Sequence, residues 1–145
     1  MSLFNLMSVS ASGMSAQRQR AELLVENLAN AETTRTAEGG PYRRRDVVFE
    51  SDPQGSPFAA MFNRAAGEAA TGVTVSEVVV DERPPQLRYL PGHPDANAEG
   101  YVAFPQVNPA EEMADLMSAT RGYQANVAAM GAAKDMIQRS FDLLR

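Results

Sequence analysis

The chain has 145 residues, 44% of them hydrophobic, a formal net charge of −5 and no cysteine. That length supports one modest core, or a small core with exposed assembly surfaces. The missing cysteines exclude disulfides, thiolate metal sites and cysteine catalysis, and the acidic balance argues against a nucleic-acid partner.

The first element is a helix expected from about Ser2, an N-cap type, to about Asn30. Met7, Met14, Ala21 and Leu28 recur at a seven-residue step, accompanied at the alternate spacing by Phe4, Ala11 and Val25, with Arg18 breaking the row. Helices need such a row to pack lengthwise against other helices. Gly13 inside the helix costs about 1 kcal/mol relative to alanine, so the helix is expected to need a partner. Ser8, Ser10, Ser12 and Ser15 lie on it, none in a nucleophile elbow, and read as small polar residues on a packed or solvated face. Residues 1–9 lack the charged start and unbroken apolar core of a cleavable signal, so any export is expected to use another route.

After Ala31 the threonines and Gly39-Gly40-Pro41 signal a turn into an extended stretch, Tyr42 to Phe49. Its Arg43-Arg44-Arg45 run is followed by Asp46 and Glu50, which fits a solvated strand start better than a phosphate site. Asp52 to Pro57 reads as a turn, and the alanine-rich 58–70 fits either a short helix or a loop, so 51–71 is expected to be a flexible segment. Gly72 to Asp81 is the clearest strand, rich in β-branched valines. Pro84-Pro85 ends it. Gln86 to Leu90 is a second short strand in which Leu87 and Tyr89 are candidates for burial opposite to Arg88, and Gly100 to Phe104 is another.

The last helix begins at Asn108-Pro109-Ala110-Glu111, a cap followed by proline at the first helical position. Leu116, Tyr123, Met130, Ile137 and Leu144 hold a seven-residue step, accompanied by Met113, Val127 and Phe141, while Thr120 and Lys134 interrupt. Periodicity leaves open whether the two helices pair within one chain or between chains, since a 3.6-residue helix drifts only about 20° per heptad from the coiled-coil period. If they pair with each other they run antiparallel. Methionines 7, 14, 113, 117, 130 and 136 fit packing at seam spacing better than an adaptable binding surface.

The expected fold is therefore α+β. Helices over 1–31 and 109–145 form an antiparallel coiled-coil-like pair, and a β-rich middle domain spans 32–108. His93, the only histidine, sits in the turn Pro91-Gly92-His93-Pro94-Asp95. A soluble ligand-binding or hydrolytic domain using that turn is the alternative reading, but one histidine without cysteine is a poor metal shell. No phosphate loop occurs, and no catalytic, cofactor or metal site and no small-molecule substrate is expected.

Four stretches carry a family resemblance: SASGMSAQR (10–18) running to ENLANA (26–31), EGGPYRRRDVVFE (38–50), PGHPDANAEGYVAFPQVN (91–108) followed by EEM, and ATRGYQANVAA (119–129). Together they resemble the proximal-rod members of the flagellar rod and hook axial protein family. The first and last stretches are shared across that family, the 91–108 stretch is far more specific, and the matches cover most of the chain outside 51–71. Glu26 and Gly131 depart from the usual pattern. The resemblance implies a non-enzymatic structural subunit of the basal-body rod, self-assembling helically as part of the motility drive shaft. It implies terminal helices in an inner coiled-coil layer and the middle in an outer lobe. It also implies a place in the periplasmic rod near the MS ring, with the rod proteins FlgB, FlgF, FlgG and FliE as neighbours. Export by the flagellar type III apparatus, without a cleaved signal, goes with that membership. The two apolar rows are then the candidate assembly interface, and Gln17, Asn27, Asn30, Gln124 and Asn126 are candidates for hydrogen bonds that fix register between subunits.

Overall fold

The computed structural model describes residues 3–52 and 72–142, with side chains over 5–51 and 72–142. The elements follow the order α1 (Leu3–Ala29), β1 (Arg45–Asp52), β2 (Gly72–Val80), β3 (Gln86–Tyr89), β4 (Tyr101–Phe104) and α2 (Pro109–Asp142). The segment from 53 to 71, expected as helix or loop, lies outside the described residues. So does Leu144, and the side chain of Phe4 is likewise undescribed.

α1 and α2 pack against each other antiparallel. Asn27 Nδ2 donates to Glu112 at 3.1 Å, and Arg20 meets Asp115 at 3.4 Å. Further out, a Cβ on Gly122 would lie 3.2 Å from the Gln17 side chain, and one on Gly13 would lie 3.0 Å from Asn126. As one helix descends in number the other ascends. The α1 contact row is Ser10, Gly13, Gln17, Arg20, Leu24 and Asn27, and the α2 row is Glu112, Asp115, Ala119, Gly122, Asn126 and Ala133. The α1 row alternates steps of three and four, and so does the α2 row as far as Asn126, with Ala133 one heptad further on, the coiled-coil spacing. Leu24 apart, their members are small or polar, and Ser10, Leu24, Asn27, Glu112, Ala119 and Ala133 are all buried. Gly13, expected only as a cost to its helix, and Gly122 let the two backbones come close.

α2 starts where the sequence places it, with the Asn108 side chain accepting from the N–H of Ala110 at 3.2 Å. Glu111 and Glu112 in its first turn and Arg139 in its last complement the helix dipole. No helix among the described residues is long and apolar enough to cross a membrane.

β1 and β2 form an antiparallel ribbon that lies on α1, where Ser12 Oγ accepts from the N–H of Val73 at 3.0 Å and donates to the carbonyl of Val9. The register shifts between Val48 and Phe49, so one residue of β2 near Ser76 is unmatched. β1 begins three residues later than the sequence suggests. Tyr42 is drawn out of the strand, its N–H bonding the carbonyl of Thr33 and its hydroxyl donating to Asn27.

β3 and β4 form a separate antiparallel hairpin with Gln86 opposite Phe104 and Tyr89 opposite Tyr101. Its inner face buries Val102 and Phe104, and the guanidinium of Arg88 lies 4.6 Å above the Phe104 ring. This corrects the expectation for β3. Leu87 and Tyr89 point outward, 63% and 64% exposed, while Arg88 covers the core, because an arginine stem can shield an aromatic ring and keep its charge wet.

Candidate assembly interface

At the inner end of the helix pair a polar cluster joins three elements. Asn27 is fully buried, its two amide hydrogens directed to the carbonyl of Arg45 at 2.8 Å and to Glu112, and its oxygen accepting from the N–H of Arg45 and the hydroxyl of Tyr42, both at 2.9 Å. That uses every donor and acceptor position of the amide. Glu112, 2% exposed, also accepts from Arg44 Nε, and Arg44 Nη1 reaches Asp46 at 3.0 Å. Burial tends to lower the Arg44 pKa, but the hydrogen bonds to Glu112 and Asp46 outweigh it and raise it, keeping the guanidinium charged. Burial, and next the charge of Glu26, push the Tyr42 phenol up, so it stays a donor. A buried carboxylate so paired is costly to break. Sequence reading missed Tyr42, Arg44 and Glu112. The spacing of Asn27 from a triple arginine and from the fourth residue of a distant capped helix carries no periodic signal.

The register candidates therefore divide. Asn27 has nothing left for a neighbouring molecule. Asn30 donates to the carbonyl of Glu26 and accepts from Thr33, closing the end of α1, and Asn126 donates to the carbonyl of Gly122. Gln17 Oε1 is buried without a hydrogen-bond partner among the described residues. Gln124 is exposed.

The apolar rows lie elsewhere. On α1, Met14, Ala21 and Leu28 follow Ser10, Gln17 and Leu24 by four residues. On α2, Leu116, Tyr123, Met130 and Ile137 follow Glu112, Ala119, Asn126 and Ala133 by the same four. A shift of four turns a residue about 40° round the axis, and in two antiparallel helices the same shift carries both rows to one side of the plane of the axes. Ser12, which holds the ribbon, precedes Gly13 by one residue and so lies on the opposite side. Met7, Met14, Ala21, Leu28, Leu116, Met130 and Ile137 are half-buried along this shared side, with Ala11, Val25, Met113, Tyr123, Val127 and Phe141 exposed at or beyond its margins. Two helices thus close on each other through Leu24 and otherwise small and polar groups, and leave most of their large apolar side chains together, facing away from the ribbon.

The His93 turn is a strut. His93 Nδ1 accepts from the N–H of Asp95 at 3.1 Å, and Asp95 accepts from the Thr34 hydroxyl at 2.8 Å and pairs with Arg35 at 3.7 Å, tying the turn to the loop after α1. A polar hollow of about 500 Å³ lies between the hairpin and the start of α2, lined by residues including Arg44, Arg83, Arg88 and Glu111, and it does not include His93. No group of three or more His, Asp or Glu side chains suited to a metal ion occurs among the described residues.

Residues 98–143 match the family model described as the flagellar basal body rod FlgEFG protein C-terminal. Over its full length the chain is similar to proteins named flagellar basal-body rod protein FlgC. That of Bacillus subtilis (strain 168) is 43% identical, covering 99% of both chains. That of Escherichia coli O6:H1 is 38% identical over 99% of this chain and 98% of its own, and that of Borreliella burgdorferi is 36% identical over 100% and 99%. Nothing in these relatives or in the geometry around His93 supports a hydrolytic or ligand-binding reading. With an α+β fold whose terminal helices pair and leave an apolar side open, and with relatives of this identity end to end, the chain belongs to the FlgC family of flagellar basal-body rod proteins, structural subunits of the rod.

Proposed function

We propose that the shared apolar side of α1 and α2 is the surface through which this subunit enters the rod. In this reading 1–31 and 109–145 form the axial unit, and 32–108 forms a lobe outside it. The observation that carries it is the separation of contact rows. The chain uses Gly13, Gln17, Ala119, Gly122 and Asn126 to pair its own helices, and leaves the rows of Met14 and Tyr123 to accept helices from neighbours, as in a multi-helix coiled coil. Neighbour contacts that join unlike surfaces and do not close give a helical filament, the geometry a rod requires.

The neighbours are further copies and the rod proteins FlgB, FlgF, FlgG and FliE, in the periplasmic rod near the MS ring. The chain reaches that place through the flagellar type III apparatus, without a cleaved signal, as a non-enzymatic component. Gln124, exposed beside the apolar row, is the register candidate whose side chain is open to such a neighbour. The test is replacement: a motile bacterium whose own proximal-rod protein is deleted is given this chain, and basal bodies are isolated. Recovery of the uncleaved chain in basal bodies, with motility restored, is the expected result. A chain that stays in the soluble fraction of a strain competent for export of its other rod proteins contradicts the proposal.

A further inference from the structure

An unmatched cation and an unmatched acid line the polar hollow between the hairpin and the start of α2. Its other charged groups are paired: Arg44 with Glu112 and Asp46, Arg83 with Asp81, and Asp115 with Arg20. Arg88 has no acidic partner. Its guanidinium covers Phe104 and donates to the side chain of Gln86, while Glu111 forms no hydrogen bond or ion pair among the described residues. The hollow, about 500 Å³, has the size of a ligand pocket and stands at the N-terminus of α2, where the partial positive charge of a helix collects.

The opposite end of the helix pair carries the converse. Gly13 lies against Asn126; carried ten residues further along both helices, this puts Leu3, where α1 begins, level with Met136. The last residues of α2, Ile137–Asp142, therefore project past α1 by more than a turn. Of the α2 charges only Arg139 and Asp142 lie on this projection. Three residues apart, they share a face; both are exposed, and neither has an ion pair or hydrogen bond among the described residues. Asp142 also stands at the negative end of the helix, where an acid is disfavoured until a cation meets it. Glu111 and Arg139 are about 40 Å apart along α2, so hollow and projection can meet only between molecules.

We propose that the hollow receives the projecting end of the carboxy-terminal helix of an adjoining rod-family subunit, and that this chain's own projecting end enters the corresponding hollow of the next. An arginine on the entering helix pairs with Glu111, and an acid one turn later pairs with Arg88, the arrangement that Arg139 and Asp142 present. The stretch 98–143, which contains both the α2 wall of the hollow and the projecting end, is the part that matches the rod-family model, so a neighbour of that family brings a helix end of the same kind. This rests on the rod-subunit reading and adds an end-to-end contact to the sideways contact of the apolar rows. Unlike ends joined in this way repeat without closing. Exposed ion pairs contribute little each, so the contact sets axial register where the apolar side already holds subunits together at high effective concentration.

The experiment places a photo-crosslinking benzophenone amino acid at position 106, on the wall of the hollow, and in a second strain at position 138, on the projection, in cells assembling this chain. Basal bodies are isolated and the adducts are mapped by mass spectrometry. The expected adduct from 106 is with the last turns of the carboxy-terminal helix of a rod-family subunit, and from 138 with the first turns of such a helix. With Glu111→Lys the 106 adduct is expected to fall roughly fivefold per incorporated chain, because the entering arginine then meets a cation. Adducts in another segment or in a protein outside the family, no adduct from a chain present in basal bodies, or a yield unmoved by Glu111→Lys overturns the docking and leaves the rod reading standing. Absence of the unsubstituted chain from basal bodies overturns both.

Discussion

Asn27 and Glu112 face each other at 3.1 Å, where the end of α1 meets the start of α2, and neither is open to solvent. Through Tyr42, Arg44 and the backbone of Arg45 the same cluster holds the root of the ribbon, so the position of the β unit on the helix pair is set at one point. Further along, beyond the buried Leu24 and the Arg20–Asp115 pair, the helices meet where Gly122 lies against Gln17 and Gly13 against Asn126, contacts that bury little area.

Removing the central amide should be costly. Asn27→Ala leaves the Arg45 N–H, the Tyr42 hydroxyl and one Glu112 oxygen short of a partner, and a loss of about 2–4 kcal/mol is expected from urea unfolding. Asn27→Asp, which brings a carboxylate against Glu112, should cost more than alanine. A loss below that of a typical surface substitution would show that the cluster does not hold the junction.

The glycines of α2 should separate in sign. Among the described residues nothing lies within 4 Å of a Cβ at Gly131, so Gly131→Ala gains helix propensity and is expected to stabilise by about 0.5–1 kcal/mol. Gly122→Leu drives a side chain into Gln17 across the closest approach of the helices and should destabilise by about 2 kcal/mol or more. Thermal melts of the two variants moving in the same direction would contradict the close approach at Gly122.

Asp81 provides a titration. Hydrogen bonds from the Arg83 side chain and backbone, and the guanidinium charge, hold its carboxyl below the ordinary value of 3.8. A lowered folded pKa means the stabilisation is complete above the unfolded value and fades as pH falls through the folded one. NMR titration should find Asp81 below the ordinary carboxylate range, and Arg83→Ala should move it up toward 3.8. An unmoved midpoint would refute the pairing.

Stability along the helix pair should be graded. Native-state amide exchange on the free chain is expected to be slowest around 24–28 and 112–119, beside the buried cluster, and faster toward 5–12 and 130–142, where the contacts are small. Uniform protection along both helices would mean that the small-residue contacts close the pair as firmly as the polar cluster does.

Much of the architecture was legible in the sequence, for identifiable reasons. Asn108-Pro109 fixes the start of α2 because a cap and a first-turn proline act locally, and the β-branched run of 73–80 fixes β2. The row through Met14 and Tyr123 was visible because large apolar residues dominate any periodicity. The row that pairs the helices was not, since Ser10, Gly13, Gln17 and Asn27 against Glu112, Gly122 and Asn126 reads as polar or as defect until the backbones are seen close together. Tyr42 was assigned to a strand because its partner Asn27 lies in another element. Leu87 and Tyr89 were expected inside because alternation says which residues share a face, and cannot say which face is covered.

The most direct measurement is incorporation of Val127→Asp and Ile137→Asp into basal bodies, alongside the melting temperature of each purified variant. Val127 is exposed and Ile137 only partly covered, so both variants are expected to melt within a few degrees of the parent chain yet be missing from isolated basal bodies, with motility lost. Normal incorporation of either variant, with its aspartate on the open apolar side, would contradict the assignment of that side to assembly.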